Sequence, residues 1–496
     1  MRFINPNHAH ISSNSIGDST SRVEKNATHQ HFKGRKSVVI ITFKGRKSVN
    51  YFLITLIINI FAKNKIMRRF LYNDLLKWKA DSARKPLILH GARQVGKTWL
   101  MKEFGKNEYK NYVYINFDKD NWAKSIFIQD YNIERILLIL QAQTGINIKP
   151  EDTLIIFDEI QEAERGLSVL KYFCEEAPSY HVMAAGSLLG VAMHKGMSFP
   201  VGKVDMLSLN PLTFNEFLLA MGEEQKFNML IQKEWEIIKF LDPQYVDLLR
   251  QYYFVGGMPE AVASYIKNKD LQRIRKIQHD ILIAYRNDIS KHAPINEIPR
   301  INMVLDSIPS QLAKENRKFV FGMLRNGARA KDFELAIQWL IDAGIIKKVN
   351  LAKEPRIPLK FYEDISIFKL FLLDCGLMGC MAEAPAKLIL TSNDIFKEYK
   401  GAFTEAFVHQ QLLSKYINIY YWSSNDSKCE IDLMIQKEDS VIPIEIKAEV
   451  SVHSQSLHTF CTSKYNGIKG LRCSMKSYID QDWMENIPLY SVESFL

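Results

Sequence analysis

The sequence has few of the features that would place it outside the cell or in a membrane. It has six cysteines in 496 residues (Cys174, Cys375, Cys380, Cys429, Cys461 and Cys473). None forms a CxxC pair, and no Cys/His group has zinc-ligand spacing, so a disulfide scaffold and a structural zinc site are both excluded. They are expected to be reduced thiols of a cytoplasmic protein. The apolar stretch Tyr51–Ala62 is shorter than the roughly 20 residues a membrane span needs, and it lies too far in for a secretory signal. No stable membrane insertion is expected.

The chain also lacks a broad basic surface. Its formal charge is +10, from 65 Lys+Arg and 55 Asp+Glu. Residues 1–66 hold eleven of the basic residues and two of the acids, so the remainder carries +1. Phe32–Val38 and Phe43–Val49 are the same heptad, a local duplication rather than a solenoid repeat. Residues 1–66 read as an unstructured basic extension or a mis-assigned start, with an interfacial anchor as the alternative. Met67 would be a natural start. Hydrophobic residues at 47% and charged residues at 24% are enough for folded cores, and the length suits two to four domains.

What is present is a nucleotide signature. The apolar run Pro86–His90 leads into Gly91-Ala92-Arg93-Gln94-Val95-Gly96-Lys97-Thr98, and a helix-patterned segment follows. Strand, glycine-rich loop and helix in that order form a nest of backbone N–H donors at the positive end of a helix, suited to phosphate. Lys97 would neutralise the β- and γ-phosphates of ATP, and Thr98 would give its hydroxyl to Mg²⁺. Thr153–Glu159 is an apolar run ending in two acids, as in a buried parallel strand with carboxylates at its C-terminal edge. Asp158 would serve Mg²⁺, and Glu159 would orient or deprotonate the attacking water. Ser187 follows another strand, His181–Ala185, and is either a polar γ-phosphate sensor or a turn cap.

These motifs, with Ala184–Gly190, Phe199–Phe217, Tyr253–Glu260 and Leu370–Gly376, resemble the AAA-type P-loop ATPases of bacteria and archaea in which a C-terminal domain of unknown function follows the ATPase. The resemblance covers residues 67–496. It implies a catalytic set of Glu159, Lys97 and Ser187, and nucleotide binding by Gly91, Arg93, Gln94, Val95, Gly96, Lys97 and Thr98. It implies Mg²⁺ at Thr98 and Asp158. Many relatives resemble Gly-Arg where this chain has Gly202-Lys203. Arg93, Arg165 and Arg286 are the other candidates for an arginine finger.

The expected fold class is α/β multidomain. Residues 67–225 would be the parallel-sheet P-loop ATPase, 226–384 a helical lid plus winged helix, and 385–496 an α/β nuclease-like domain. The winged-helix outline is the helical spacing of Phe333, Ala336, Ile337, Leu340 and Ile341, a stop at Gly344, and strands at Ile345–Val349 and Leu359–Tyr362. Nearby Arg325, Arg329, Lys331, Lys347 and Lys348 make DNA a second candidate partner beside ATP. The oligomeric state stays open.

In the last domain, Glu430–Gln436 and Val441–Lys447 alternate around the turn Lys437–Ser440. Centring a hairpin there pairs Ile435 with Ile442, Leu433 with Ile444 and Ile431 with Ile446 on one face. The other face then pairs Asp432 with Glu445 and Glu430 with Lys447. With Glu405 on a preceding helix, this looks like a PD-(D/E)xK nuclease core. The resemblance implies a site of Glu405, Asp432, Glu445 and Lys447, with Gln455 as a further helix-borne polar residue. Three functions are therefore expected in order: an Mg²⁺-dependent ATPase controlling its C-terminal domain, an ATP-gated DNA nuclease or DNA-binding protein, and a slow nucleotide-exchanging switch without nuclease activity.

Overall fold

The computed structural model describes residues 67–186, 190, 199–314, 317–390, 397–416, 418–424, 426, 428–448 and 454–496. The expectations for residues 1–66 and for Ser187 lie outside them. The described residues fall in one compact unit, Lys65–Leu496. Among them no helix is long and apolar enough to cross a membrane.

The first sheet is wholly parallel. Its strands are β1 (Leu87–His90), β2 (Asn111–Asn116), β3 (Thr153–Asp158), β4 (His181–Ala185) and β5 (Asp205–Ser208), in the order β2-β3-β4-β1-β5. Parallel strands are covered on both faces, which is why β3 is buried along its whole length and reads as a continuous apolar run. Ile88, Ile155, Phe157 and Val182 form a core with Ile136 and Leu140 of helix Ile133–Thr144 and Leu170 and Phe173 of helix Gly166–Glu176. Asn132 caps the first of these helices by accepting the N–H of Arg135, and Gly145 ends it in a left-handed conformation. With β4 central between β3 and β1, the loop after β1 and the acids at the end of β3 open on the same sheet edge.

A helical region follows. Its helices include Phe214–Ala220, Asp242–Val255, Pro259–Asn268, Leu271–His292 and Ile298–Leu312. The break at Gly256-Gly257 is a close approach: a Cβ on Gly257 would lie 2.1 Å from the carbonyl oxygen of Leu212. The buried carboxylate of Asp374 accepts the N–H groups of Gly257 (2.6 Å) and Leu377 (2.9 Å) and is held by Gln410. The glycine pair and the Asp-Cys-Gly segment are thus two halves of one junction between the helical region and the C-terminal part.

The second sheet is mixed. It contains β6 (Ile346–Ala352), β7 (Glu363–Leu372), β8 (Tyr420–Ser423), β9 (Glu430–Lys437), β10 (Ser440–Ile446), β11 (Gly470–Ser474), β12 (Ile479–Asp480) and β13 (Met484–Pro488). Their order is β12-β13-β11-β10-β9-β8-β6-β7. Two expectations are corrected here. Leu359–Tyr362 is a 3-10 turn, and the strand that returns from β6 is β7. The β6–β7 hairpin also does not stand free as a wing. It joins β8 through Asn350 and Tyr420, so the sheet crosses the expected 384/385 boundary. An isolated hairpin is marginal in water, and addition to a sheet gives it the burial it lacks.

The β9–β10 register matches the alternation: Ile435 faces Ile442 and Leu433 faces Ile444. The last residues of the chain dock on helix Phe214–Ala220, where the Asn215 N–H donates to Glu493 Oε2 (3.2 Å) and Asn215 Nδ2 to Ser494 Oγ (2.9 Å). Burial, and then the nearby Glu216, push the Glu493 carboxyl up to about 8. A carboxyl raised on folding contributes stability that is complete below its unfolded value and is lost as pH rises through the folded one. Glu493→Gln removes that loss. Its Tm is expected to exceed the wild type's by about 2–4 °C above pH 8 and to converge with it below pH 5. Parallel Tm curves from pH 5 to 9 would contradict this.

Candidate functional site

The phosphate loop is built by close contacts that need glycine. Gly91 has φ +145, and a Cβ there would lie 2.2 Å from the carbonyl oxygen of Leu209. Gly96, in the left-handed region, starts helix Lys97–Glu108. Lys97 Nζ donates to the carbonyls of Gly91 and Ala92, both at 2.8 Å. Burial lowers its pKa to about 8, against the attraction of Glu159 and Asp158. Thr98 Oγ1 donates to Asp158 Oδ2 at 2.7 Å, and the hydroxyl of Tyr114 donates to the same oxygen at 2.9 Å. Glu159 follows with φ 52, and Gln161 Nε2 donates to its Oε2 at 2.7 Å. The structure thus brings Lys97, Thr98, Asp158 and Glu159 together.

The oxygen chemistry suits Mg²⁺, a hard cation that takes one or two protein oxygens and fills its other positions with water and phosphate. Thr98 and Asp158 would hold it.

The rest of the loop is gripped by segments distant in sequence. Arg69 donates to the carbonyls of Val95 (3.0 Å) and Asn210 (2.5 Å) and pairs with Glu216 at 3.2 Å. Arg93 pairs with Asp288 at 2.5 Å, and the Tyr285 hydroxyl donates to the Arg93 carbonyl at 3.0 Å. Tyr285 and Asp288 are three residues apart on helix Leu271–His292, hence on one face of it. Burial raises the Asp288 carboxyl, and Arg93 opposes that. Sequence reasoning missed Arg69, Tyr114, Tyr285 and Asp288. The spacing of Tyr285 and Asp288 was the one available signal. Of the other finger candidates, Arg165 donates to the Ile128 carbonyl (3.0 Å), Arg286 pairs with Asp306 (2.5 Å) and Lys203 with Glu175 (2.9 Å).

In the second sheet, two of the three carboxylates expected for a nuclease site, Glu405 and Asp432, are held by cations from outside that set. Arg317 pairs with both Glu405 and Asp432. Lys369, fully buried on β7, pairs with Glu405 at 2.9 Å and Glu430 at 2.8 Å. Asp432 Oδ2 accepts the Ile446 N–H at 2.8 Å. Burial opposes the charge on Arg317 and Lys369, but the surrounding carboxylates outweigh it and raise both pKa values. The expected Glu430–Lys447 pair does not form, since Glu430 is taken by Lys369 and Lys447 pairs with Glu445 at 3.1 Å. Burial raises the Glu445 carboxyl, with Lys447 lowering it. Glu405 lies on helix Lys397–Leu412 and Gln455 opens helix Gln455–His458. Among the described residues no group of three or more His, Cys, Asp or Glu is arranged to hold a metal ion.

Comparison with protein families gives three matches in sequence: an AAA domain over residues 83–218, a domain of unknown function (DUF8612) over 246–388, and a domain of unknown function (DUF4143) over 400–492. No curated protein matches the chain. The second sheet draws strands from both of the latter segments. The chain therefore carries an AAA-type P-loop domain, implying ATP binding and hydrolysis, followed by two domains whose role is unknown.

Proposed function

We propose that the protein is an Mg²⁺-dependent ATPase whose nucleotide state is transmitted to the C-terminal mixed sheet. The observation that carries the coupling is a contact. Gly344, between helix Glu334–Asp342 and β6, lies so close to the loop that a Cβ on it would be 3.1 Å from the Ala92 nitrogen. A shift in the loop on binding phosphate is thereby passed to β6, an interior strand of the second sheet.

The residues have distinct tasks. Lys97 exchanges two loop carbonyls for phosphate oxygens. Glu159, oriented by Gln161, accepts the proton of the attacking water. Bound Mg²⁺ would supply neutralisation of the β- and γ-phosphate charge. Arg93 can serve phosphate only after leaving Asp288, which links occupancy of the loop to the long helix.

For the C-terminal part, the ion pairs favour a switch without nuclease activity over a DNA nuclease. Arg317 and Lys369 already use the carboxylate oxygens of Glu405 and Asp432 that a metal would need. Hydrogen exchange tests the coupling. Amides of β6 and of helix Glu334–Asp342 are expected to exchange differently in the ATP-bound Glu159→Gln protein and in the ADP-bound wild type. Identical protection in the two states would refute it.

A further inference from the structure

Between the phosphate loop and the β6–β7 hairpin lies a cavity of about 230 Å³. Gly91 and Ala92 of the loop line it, as does Gly186 at the end of β4. So do His90, the last residue of β1, and Lys347, the second residue of β6. Ser208, exposed on the edge strand β5, completes one side. Among the described residues, neither the Lys347 ammonium nor the His90 ring has a hydrogen-bond or ion-pair partner. Asp342 also lines the cavity, but its carboxylate accepts from Gln338 Nε2 at 2.8 Å.

Two basic groups without partners that face one enclosed space repel each other, and burial penalises the charge on each. Burial lowers the His90 pKa, with Lys347 and then Lys97 as further causes, and burial lowers that of Lys347. A small anion would reverse both penalties, since it would give each group a charge-assisted hydrogen bond. The place selects the anion. The first residues of a phosphate loop and the end of the neighbouring strand are the parts of such a site nearest the terminal phosphoryl group.

We propose that this cavity is an orthophosphate site, held by Lys347 and His90, into which the cleaved phosphate passes before it leaves the protein. The proposal rests on the ATPase reading. ATP and water give ADP and orthophosphate at the loop, and no bond is made or broken in the cavity. Because Lys347 is on β6, the product would report directly to the second sheet.

Product inhibition tests this on the full chain. Orthophosphate is expected to inhibit wild-type hydrolysis, and Lys347→Met to raise its inhibition constant about tenfold or more, the worth of one charge-assisted hydrogen bond. His90→Gln should shift it in the same direction. Fluorescent ADP serves as the control, with its affinity in both variants expected to stay close to wild type. Absence of phosphate inhibition in the wild type, or equal inhibition in all three proteins, would overturn the proposal. Should the chain bind no nucleotide, the ATPase reading fails separately. The cavity is then read by phosphorus-31 line broadening of added orthophosphate, which should be present with wild type and lost with Lys347→Met. Broadening that is absent, or retained in the variant, would refute the site itself.

Discussion

Glu159→Gln is expected to bind ATP as tightly as the wild type and to turn it over about 10²–10⁴-fold more slowly, the usual worth of a positioned general base. The geometry separates the two effects. Binding relies on the loop N–H groups, Lys97 and Thr98; Lys97 Nζ donates to the Gly91 and Ala92 carbonyls and Thr98 Oγ1 to Asp158. Glu159 sits one residue beyond the end of β3, in a left-handed conformation, with Gln161 fixing one of its oxygens. Glutamine keeps the shape and loses the ability to take a proton. Gln161→Ala should therefore produce a smaller loss of turnover in the same direction, since it frees the base without removing it. Single-turnover hydrolysis and equilibrium binding of labelled ATP measure the two quantities. Wild-type turnover in Glu159→Gln would show that another group activates the water.

Lys369→Met is expected to destabilise the fold by about 3–5 kcal/mol, because it leaves carboxylates buried without their cation. Lys369 and Glu405 are both fully buried, so solvent cannot take over the lost interaction. Arg317 would still pair with Glu405, but Glu430 would lose the ammonium that holds it at 2.8 Å. Neutralising a carboxylate together with the lysine should recover much of the loss. Lys369→Met combined with Glu405→Gln is therefore expected to be less destabilised than the two single changes added together. Denaturant unfolding of the four proteins gives the cycle. A loss below about 1 kcal/mol for Lys369→Met would mean that the cluster is hydrated and behaves like a surface pair.

The parts that sequence reasoning located are those whose signal is local. The loop Gly91–Thr98 lies between an apolar strand and a helix, and β3 is an apolar run ending in Asp158, so each carries its own context. The β9–β10 register follows from a period of two around a short turn, and Ile435 and Leu433 meet the expected partners. What escaped depends on residues far apart in the chain. Lys369 sits inside the apolar run Phe368–Leu372, where a lysine gives no sign that it will meet Glu405 and Glu430. The strand β7 was misplaced because Leu359–Tyr362 alternates well enough to imitate a strand, while β7 itself opens with the polar residues Glu363 and Asp364. Arg69 and Asp288 reach the loop from 26 and 195 residues away from their partners there, and no window of sequence contains both ends.

The charge cluster also alters what the hairpin of carboxylates implies. From alternation alone, Asp432, Glu445 and Glu430 gather on one face, which suits a metal. In the structure Arg317 pairs with Asp432 and Lys369 with Glu430, while Glu445 pairs through Oε1 with Lys447 and keeps a buried Oε2 with no hydrogen-bond partner among the described residues.

If the loop Gly91–Thr98 binds and hydrolyses ATP with Mg²⁺, binding and turnover must share one chelatable site. Calorimetric titration of ATP into the nucleotide-free full chain, with Mg²⁺ and then with excess EDTA, followed by phosphate release from the same samples, tests it most directly. Saturable binding at one site per chain, with phosphate release that stops on chelation, is the predicted result. No binding with Mg²⁺ present, or phosphate release that persists in Lys97→Ala, would contradict it.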